Sequence, residues 1–318
     1  MIVCIRKVTM SKIAVFGSMV ADMVAKVGRF PAEGETVIGQ EFNVYLGGKG
    51  INQCVAAKRL GGDVEMIGCI CNDDYGKKFL QLMDAESIKH DNVMITDKMP
   101  TGVAQIQIDE KGQNKIVVIP AANHVFGLEE LSNVIHVLDN SEYALFQLEM
   151  RYEVIEQAIK YAHSKGVKII FNPAPAMRLS RELLSLVDYL TPNEVELGII
   201  ADEDTSSIEG IKRAAQIVLD MGVKNVVATL GSNGALIANQ DGINIIPAYR
   251  VKNPVDMVAA GDSFNGALAV KLYEGATLEE AVRFANAMGA LTVQVKGAIP
   301  SLHNRKQVDE FIAMQQQM

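Results

Sequence analysis

The alternation of short β-branched runs with longer helical patterns constrains this chain more than any other feature. Strand-like runs such as IAVFG (13–17) and VEMIGCI (64–70) are each followed by a segment of helical periodicity. The runs are continuously apolar, which is typical of strands that a parallel sheet buries on both faces. The pattern therefore predicts an α/β fold in which helices cover both faces of a central, mostly parallel sheet.

Two stretches break this alternation. Residues 24–46 carry a β-like pattern between the first strand and its helix, and residues 101–119 have the pattern of a hairpin with a polar turn around positions 110–114. Both stretches are predicted to form a small β-sheet inserted into an α/β domain of residues 11–318. Residues 1–10 precede the first clear strand and are interpreted as a leader of uncertain role.

Charge and composition argue against several classes of protein. The 318 residues carry 30 Lys and Arg against 38 Asp and Glu, a net charge of −8, which disfavours a nucleic-acid partner. No apolar stretch is long enough to predict a membrane span. The five histidines form no HExxH motif, so no zinc site is expected. Because Cys4, Cys54, Cys69 and Cys71 form no CxxC pair, reduced thiols in a cytoplasmic protein are predicted.

A glycine-rich turn, LGGKGINQ (46–53), opens the first helix. Glycines let a backbone approach a ligand closely, and a helix start offers free N–H donors. The turn is not a phosphate-binding Walker A loop, because Gly50 stands after Lys49 in place of Ser or Thr. A plain turn between two sheets fits these residues equally well, although Asn52 in the first helical turn favours a binding site.

A second helix start lies within VDMVAAGDSFNGAL (255–268). Ala260, Gly261 and Asp262 can supply N–H groups suited to the charge that builds up on a transferred phosphoryl group. Asp262 is then either a helix cap or a general base toward an alcohol. A serine-hydrolase interpretation fails because GxSxG would require glycine at position 265, which is Asn265.

Two further turns have both a structural and a functional interpretation. In TPNEVE (191–196), Asn193 and Glu196 share a helix face, where they cap the helix or hold a hydrated Mg²⁺. In TLGSNG (229–234), two glycines follow a strand and form a hairpin turn or a nucleotide contact. No GxGxxG follows a strand, so a dinucleotide site is not expected.

In this order, the four stretches closely resemble the ribokinase family of ATP-dependent carbohydrate kinases, also called the PfkB family, and its ribokinase and deoxyribokinase members most closely. The resemblance spans about residues 12–311 and includes GSMVAD (17–22), FPAEGETVIG (30–39), FQLE (146–149), NPAPA (172–176) and VKGAIPS (295–301). It implies a ribokinase-like three-layer sandwich with a small β-sheet lid that closes over the sugar and forms a homodimer contact. It also implies transfer of the γ-phosphoryl group of ATP to the 5-hydroxyl of a pentose, ribose or 2-deoxyribose.

The resemblance also assigns roles residue by residue. Asp262 matches the general base, and the amides of Ala260 and Gly261 match an anion hole. The positions that match sugar contacts are Asp22, Gly48, Lys49, Asn52 and Glu149, and those that match nucleotide contacts are Asn193, Thr229, Gly231, Gly234 and Asn286. Glu196, with Asn193, matches an element tied to Mg²⁺. A K⁺ loop is matched by Asp256, the carbonyl of Val258, and positions at or near Thr292, Val295, Gly297 and Ser301.

Three positions depart from the family pattern. Val20 stands where ribokinases have Asn, and valine cannot hydrogen-bond a sugar hydroxyl. An apolar wall tolerates a missing hydroxyl, so 2-deoxyribose is predicted to be accepted as well as ribose or better. Met257 replaces the usual Thr of the cation loop, a change that argues against K⁺ activation, and Val295 replaces a common Arg.

Two other functions stay open on the sequence. One is a kinase of the same family for another substrate, such as fructose, a phosphosugar or a nucleoside. The other is a non-catalytic sugar-binding regulator. The retained Asp262 and Glu196 argue against the regulator, because binding alone does not require a base.

Overall fold

The computed structural model describes residues 12–316 and has a nine-stranded sheet at its centre. β12 is antiparallel to both of its neighbours, and the other eight strands run in one direction, as predicted. In spatial order the strands are β13 (Gly242–Ile246), β12 (Ala235–Asn239), β11 (Asn225–Thr229), β10 (Tyr189–Leu190), β9 (Lys168–Phe171), β8 (Tyr143–Phe146), β1 (Ile13–Phe16), β4 (Val64–Cys71) and β5 (Val93–Thr96).

Helices cover both faces of this sheet. One layer contains α3 (Leu128–Val134), α4 (Tyr152–Ser164), α5 (Arg181–Leu184), α6 (Glu194–Ala201) and α7 (Ile208–Asp220). The opposite layer contains α1 (Lys49–Arg59), α2 (Asp74–Ala85), α8 (Ala260–Tyr273), α9 (Leu278–Thr292), the short α10 (Ala298–Ser301) and α11 (Arg305–Gln316). In β1, Ala14 and Phe16 pack into the first layer, whereas Ile13 and Val15 pack into the second. Burial on both faces explains the continuous apolar runs and confirms the three-layer sandwich.

The two stretches that break the strand–helix alternation contribute a second, four-stranded sheet, called the lid below. Its strands lie in the order β3 (Gly39–Gly47), β2 (Val20–Val27), β6 (Gly102–Ile108) and β7 (Asn114–Ile119). β6 and β7 form the expected antiparallel hairpin, and β2 lies parallel to β6. β2 and β3 together extend from residue 20 to residue 47, a few residues beyond the predicted stretch.

Asn123 ties the lid to the body of the protein. Its side chain is fully buried and exchanges two hydrogen bonds with the backbone of Met19, of 3.0 and 2.9 Å, just before β2 begins. The same carboxamide donates to the carbonyl of Pro120 at 3.0 Å, just after β7 ends. The first entry of the chain into the lid and its last exit therefore meet at one buried amide, which fixes this end of the lid.

Some sequence predictions fall on the ends or on the cysteines. The proposed leader, residues 1–10, lies outside the described residues. Among residues 12–316, no helix combines the length and apolar character needed to cross a bilayer. Cys54, Cys69 and Cys71 are free thiols, as expected. α11 continues through Gln316 and packs on the body through Val308 and Phe311.

Candidate active site

Most of the predicted site residues lie where the parallel strands end. Asn193 follows β10, Thr229 ends β11, and Glu149 comes shortly after β8. Because these strands share a direction, their carboxyl ends meet at one edge of the sheet, where open α/β folds place their ligands. The N-termini of α1 and α8 also belong to this part of the structure, since Asn52 of α1 contacts Asp262 of α8.

Gly48 allows α1 to begin close to residues 18–20, where the chain passes from β1 to β2. Its φ and ψ angles are 100° and 140°, a conformation that side-chain-bearing residues rarely adopt. A Cβ at this position would lie 2.8 Å from the backbone nitrogen of Val20 and 3.0 Å from the carbonyl oxygen of Ser18. The glycine-rich turn therefore lets two backbone segments touch at the helix start.

Glu149 binds the N-terminus of α1. Its Oε2 accepts the backbone N–H of Lys49 at 3.0 Å and also the hydroxyl of Ser18. A carboxylate at this place is stabilised by the unpaired amides and the partial positive charge of the helix end. Asp22 lies on β2 of the lid. Its Oδ2 is so close to Gly47 that a Cβ added to Gly47 would lie 2.5 Å from this oxygen.

One lysine and four carboxylates set the electrostatics of the site. Burial opposes protonation of Lys49, but Asp262, Glu149, Glu196 and Asp22 together raise the pKa of its ammonium group above the ordinary value. Burial, with Glu149 and Asp262 nearby, raises the pKa of Asp22 to about 7 against the opposing effect of Lys49. The site is therefore rich in negative charge, and a polyphosphate can approach it only with additional cations.

Asp262 occupies the first turn of α8 and is 8% exposed. Two consecutive residues of α1 hold its carboxylate: Asn52 Nδ2 donates to Oδ2 at 2.9 Å, and Gln53 Nε2 donates to Oδ1 at 3.2 Å. Each carboxylate oxygen keeps a further lone pair, so the group can still accept a proton from a substrate hydroxyl. This position fits a base, and both partners come from the glycine-rich segment.

The N-terminus of α8 differs in one respect from the expected anion hole. The N–H of Ala260 donates to the carbonyl of Met257 at 3.3 Å, so in this structure it is already engaged. Gly261 faces open space, since a Cβ there would have no neighbour within 4 Å. The first amides of a helix have no intrahelical acceptor, so the end of α8 retains donors for an anion.

A cavity of about 1190 Å³ lies beside this helix end. Its lining includes six of the site residues that were predicted from the sequence: Thr229, Gly231, Gly234, Ala260, Gly261 and Asn286. Asn286 is 8% exposed, and its Nδ2 donates to the carbonyls of Ile246 and Pro247 at 3.1 and 3.2 Å. The side chain thus fixes the chain just after β13 and forms part of the cavity wall.

The pair Asn193 and Glu196 forms a complete capping box at the start of α6. Asn193 Oδ1 accepts the backbone N–H of Glu196, and Glu196 Oε2 accepts that of Asn193, each at 2.8 Å. Burial raises the pKa of Glu196, although the Asn193 amide and Lys49 oppose this effect. The structural interpretation of this motif is therefore correct, and Glu196 nevertheless lies near enough to Lys49 and Asp262 to influence the site.

The predicted cation loop is assembled from two segments. Asp256 accepts the backbone N–H groups of Val258 at 3.1 Å and Gly297 at 2.9 Å, while the Val293 carbonyl accepts those of Val255 and Asp256. These contacts join residues 255–258 to the region of Thr292, Val295 and Gly297. The hydroxyls of Thr292 and Ser301 are buried and bond to carbonyls of their own helices. Within residues 12–316, no cluster of three His, Cys, Asp or Glu side chains is arranged to hold a metal.

Sequence reasoning missed part of the cavity wall. Tyr249, in the segment after β13, and Phe311, on α11, pack with ring centroids 5.5 Å apart at 59°. Both line the cavity, as does Gln315 near the end of the chain. An aromatic residue in an otherwise polar, irregular segment was the signal available for Tyr249. Nothing in the sequence connects α11 to the cavity, because that contact depends on tertiary packing.

The three-layer α/β sandwich with its small β lid is the fold that the resemblance to carbohydrate kinases implies. The comparison with protein families agrees: residues 10–305 match the pfkB family carbohydrate kinase model. The chain belongs to this family and is a carbohydrate kinase.

Individual relatives cover nearly the whole chain. The chain is 37% identical to the ribokinase of Haemophilus influenzae over 300 residues, which are 94% of this chain and 98% of that protein. It is 31% identical to the deoxyribokinase of Salmonella typhi over 306 residues, 95% of this chain and 99% of the relative. The structure of Arabidopsis thaliana ribokinase complexed with ribose and ATP matches with a TM-score of 0.90 at 32% identity, covering 95% and 98% of the two chains.

Proposed function

We propose that this kinase transfers the γ-phosphoryl group of ATP to the 5-hydroxyl of a pentose, ribose or 2-deoxyribose, with Asp262 as general base. The observation that carries the proposal is the position of Asp262: its carboxylate lies in the first turn of α8 and is held by Asn52 and Gln53, next to Ala260 and Gly261, which line the large cavity. Relatives of similar length named ribokinase and deoxyribokinase support the choice of substrate.

In this mechanism the sugar lies between the lid and the start of α1. Asp22 and Glu149 accept its hydroxyl protons as hydrogen bonds, and Asn52 faces the same space. Asp262 takes the proton from the 5-hydroxyl as that oxygen attacks the γ-phosphorus, and the bond to the β-phosphate oxygen breaks. The amides at the start of α8 and the Lys49 ammonium stabilise the charge on the transferred group.

ATP occupies the cavity beside α8 in this proposal. Thr229, Gly231 and Gly234 contact the nucleotide with little steric hindrance, and Asn286, Tyr249 and Phe311 form the wall on the base side. The excess of carboxylates fits a requirement for Mg²⁺, for which Asn193 and Glu196 are the candidate residues. Mg²⁺ held there would neutralise part of the phosphate charge.

The substitution Asp262→Asn tests the proposal. It keeps the size and one acceptor of the side chain but cannot accept the proton. We expect kcat to fall by roughly 10²–10⁴-fold, the usual contribution of a general base, while sugar affinity changes by only a few-fold. Near-normal turnover in Asp262→Asn would show that another group is the base. A non-catalytic regulator would show no ATP consumption with any sugar in the wild-type protein either.

Val20 favours 2-deoxyribose among the possible sugars. It is 3% exposed and lies two residues before Asp22 on β2, so both side chains point to the same face of the lid. A panel of ribose, 2-deoxyribose, fructose, fructose 6-phosphate and adenosine would measure the preference. We expect kcat/KM for 2-deoxyribose to equal or exceed that for ribose, and a large preference for ribose would contradict this assignment.

Three further features belong to the same proposal. K⁺ is an activator bound near Asp256 and the carbonyl of Val258, and rates that are equal in potassium and choline chloride would argue against it. The protein is a cytoplasmic homodimer joined through the lid. The exposed apolar residues of β7, Ile116, Val117 and Val118, support a lid contact. Sedimentation measurements on a variant with a charged residue at position 117 would test it.

A further inference from the structure

A chain of buried carboxamides extends from Asp262 into the protein. Gln53, which donates to Asp262, also donates to Asn172 Oδ1 at 3.2 Å and accepts from Gln147 Nε2 at 2.7 Å. Gln53 and Gln147 are 1% and 0% exposed. Asn172 donates in turn to the backbone carbonyl of Thr191 at 3.0 Å. Gln147, Asn172 and Thr191 directly follow β8, β9 and β10, so the chain is anchored on three neighbouring strands.

The Thr191 carbonyl gives this chain a direction. A carbonyl oxygen only accepts, so Asn172 must turn its NH₂ group toward Thr191 and its Oδ1 toward Gln53. Gln53 must then present its NH₂ group to Asn172, and the same NH₂ group reaches Asp262 with its second hydrogen. Its Oε1 consequently faces the NH₂ group of Gln147. Both hydrogens and the oxygen of Gln53 are thus committed, and a donor always points at Asp262.

We propose that Gln53 is a positioning residue that holds the carboxylate of Asp262 in one orientation, with its own carboxamide fixed by Asn172 and Gln147. The proposal rests on the proposed role of Asp262 as the base. Asn52 contacts the other carboxylate oxygen, so removal of the Gln53 donor leaves the carboxylate held on one side only. Residues at the carboxyl ends of β8, β9 and β10 thereby fix the side chain of Gln53, which belongs to the helix layer.

The position of Gln53 in α1 fits this role. Asn52 and Gln53 are neighbours in a helix and therefore point about 100° apart, so they cannot both contact the sugar from the same direction. One residue faces the site and the other faces the sheet, and the carboxylate of Asp262 lies where both can reach it. Misplacement of a reacting group by about 1 Å can lower the rate by roughly 10²-fold.

Two substitutions of Gln53 separate positioning from packing. Gln53→Glu keeps the shape and the acceptor for Gln147 but places a second carboxylate against Asp262. We expect kcat to fall by roughly tenfold or more at neutral pH. In a plot of kcat against pH, the acid limb, where activity falls as the pH is lowered, should move to higher pH, because two close carboxylates resist double ionisation. Gln53→Met removes the donor without adding charge, and should lower kcat with a smaller shift of that limb.

Gln147→Met is the matched comparison, because it removes a buried carboxamide of the same chain that does not touch Asp262. We expect Gln147→Met to destabilise the protein in urea about as much as the Gln53 variants do. Its acid limb should move much less than that of Gln53→Glu, because Asn172 still holds the Gln53 donor that contacts Asp262. Sugar affinity, measured by calorimetry, should stay within a few-fold of wild type in all three variants.

An acid limb that does not move in folded Gln53→Glu would overturn the proposal, as would equal shifts in Gln53→Glu and Gln147→Met. The limb is recorded on soluble protein whose unfolding transition has been measured, so a loss of fold is not mistaken for a loss of positioning. Failure of the proposed function gives a different result, since Asp262→Asn would then retain its turnover.

Discussion

Gly48 offers a sharp test of how the backbone builds the sugar side of the site, through the substitution Gly48→Ala. Two costs arise from the structure. A φ of 100° costs a side-chain-bearing residue about 1–3 kcal/mol. The new Cβ also lies 2.8 Å from the backbone nitrogen of Val20 and 3.1 Å from Met19 Cα, so the backbone must shift, at about 1–3 kcal/mol. The smaller entropy of the unfolded alanine chain offsets about 0.4–1 kcal/mol.

Gly61 provides the matched control. It follows the end of α1 with a nearly identical φ of 97°, but a Cβ there would meet nothing within 4 Å. Gly61→Ala therefore carries the conformational cost and the same entropy offset without the steric cost, and should lose at most about 2.5 kcal/mol of unfolding free energy. Gly48→Ala should lose about 1–3 kcal/mol more than Gly61→Ala, because of the steric cost. The difference between the two variants isolates the contact with residues 18–20.

Urea denaturation of both variants measures the two losses, and steady-state kinetics measures the effect on the site. Because Gly48 precedes Lys49, whose N–H binds Glu149, we expect the sugar KM of Gly48→Ala to rise by roughly tenfold or more. Gly61→Ala should keep wild-type kinetics. If Gly48→Ala is no less stable than Gly61→Ala and its sugar KM is unchanged, the close backbone approach has no role in the site.

Two further predictions concern the sugar and nucleotide sides. Because the pKa of Asp22 is raised to about 7, the sugar KM should fall as pH rises through this value and the carboxylate ionises; a pH series on wild type and Asp22→Asn, which should be nearly flat, tests this. The same group binds its proton more tightly in the folded protein than in the unfolded chain, so its contribution to stability declines as pH rises from its ordinary pKa to about 7. Asn286→Leu removes the donor to the carbonyls of Ile246 and Pro247, and should raise the KM for ATP by about tenfold while the sugar KM stays unchanged; a parallel rise of both constants would contradict a local role.

The strand and helix pattern of the body was predictable because it depends on local chemistry. Runs such as IAVFG are apolar at every position, and only burial on both faces gives strands of that composition. The lid hairpin was predictable for the same reason, since residues 101–119 alternate and contain a polar turn. The boundary of β2 was less clear, because Val20 and Ala21 are buried where the lid joins the body and look like the body strands.

The carboxamide chain could not be predicted in the same way. Gln147 lies 94 residues and Asn172 119 residues after Gln53 in the sequence, although both are hydrogen-bonded to it. Each looks like an ordinary polar residue in its own segment. The contribution of Tyr249 and Phe311 to the cavity has the same origin. Side chains from distant elements meet only after the sheet and its layers have formed.

The sequence by itself determined the layered α/β architecture, the lid hairpin and the helix start that carries Asp262, because each depends on periodicity and turn chemistry within a short segment. Only the tertiary structure decided which amide faces which oxygen around that carboxylate, how one lysine is shared by four carboxylates, and which aromatic rings line the cavity. These properties depend on distances between elements that are far apart in the sequence. Burial makes these distances important, because a buried polar group without a hydrogen-bond partner lowers the free energy of unfolding.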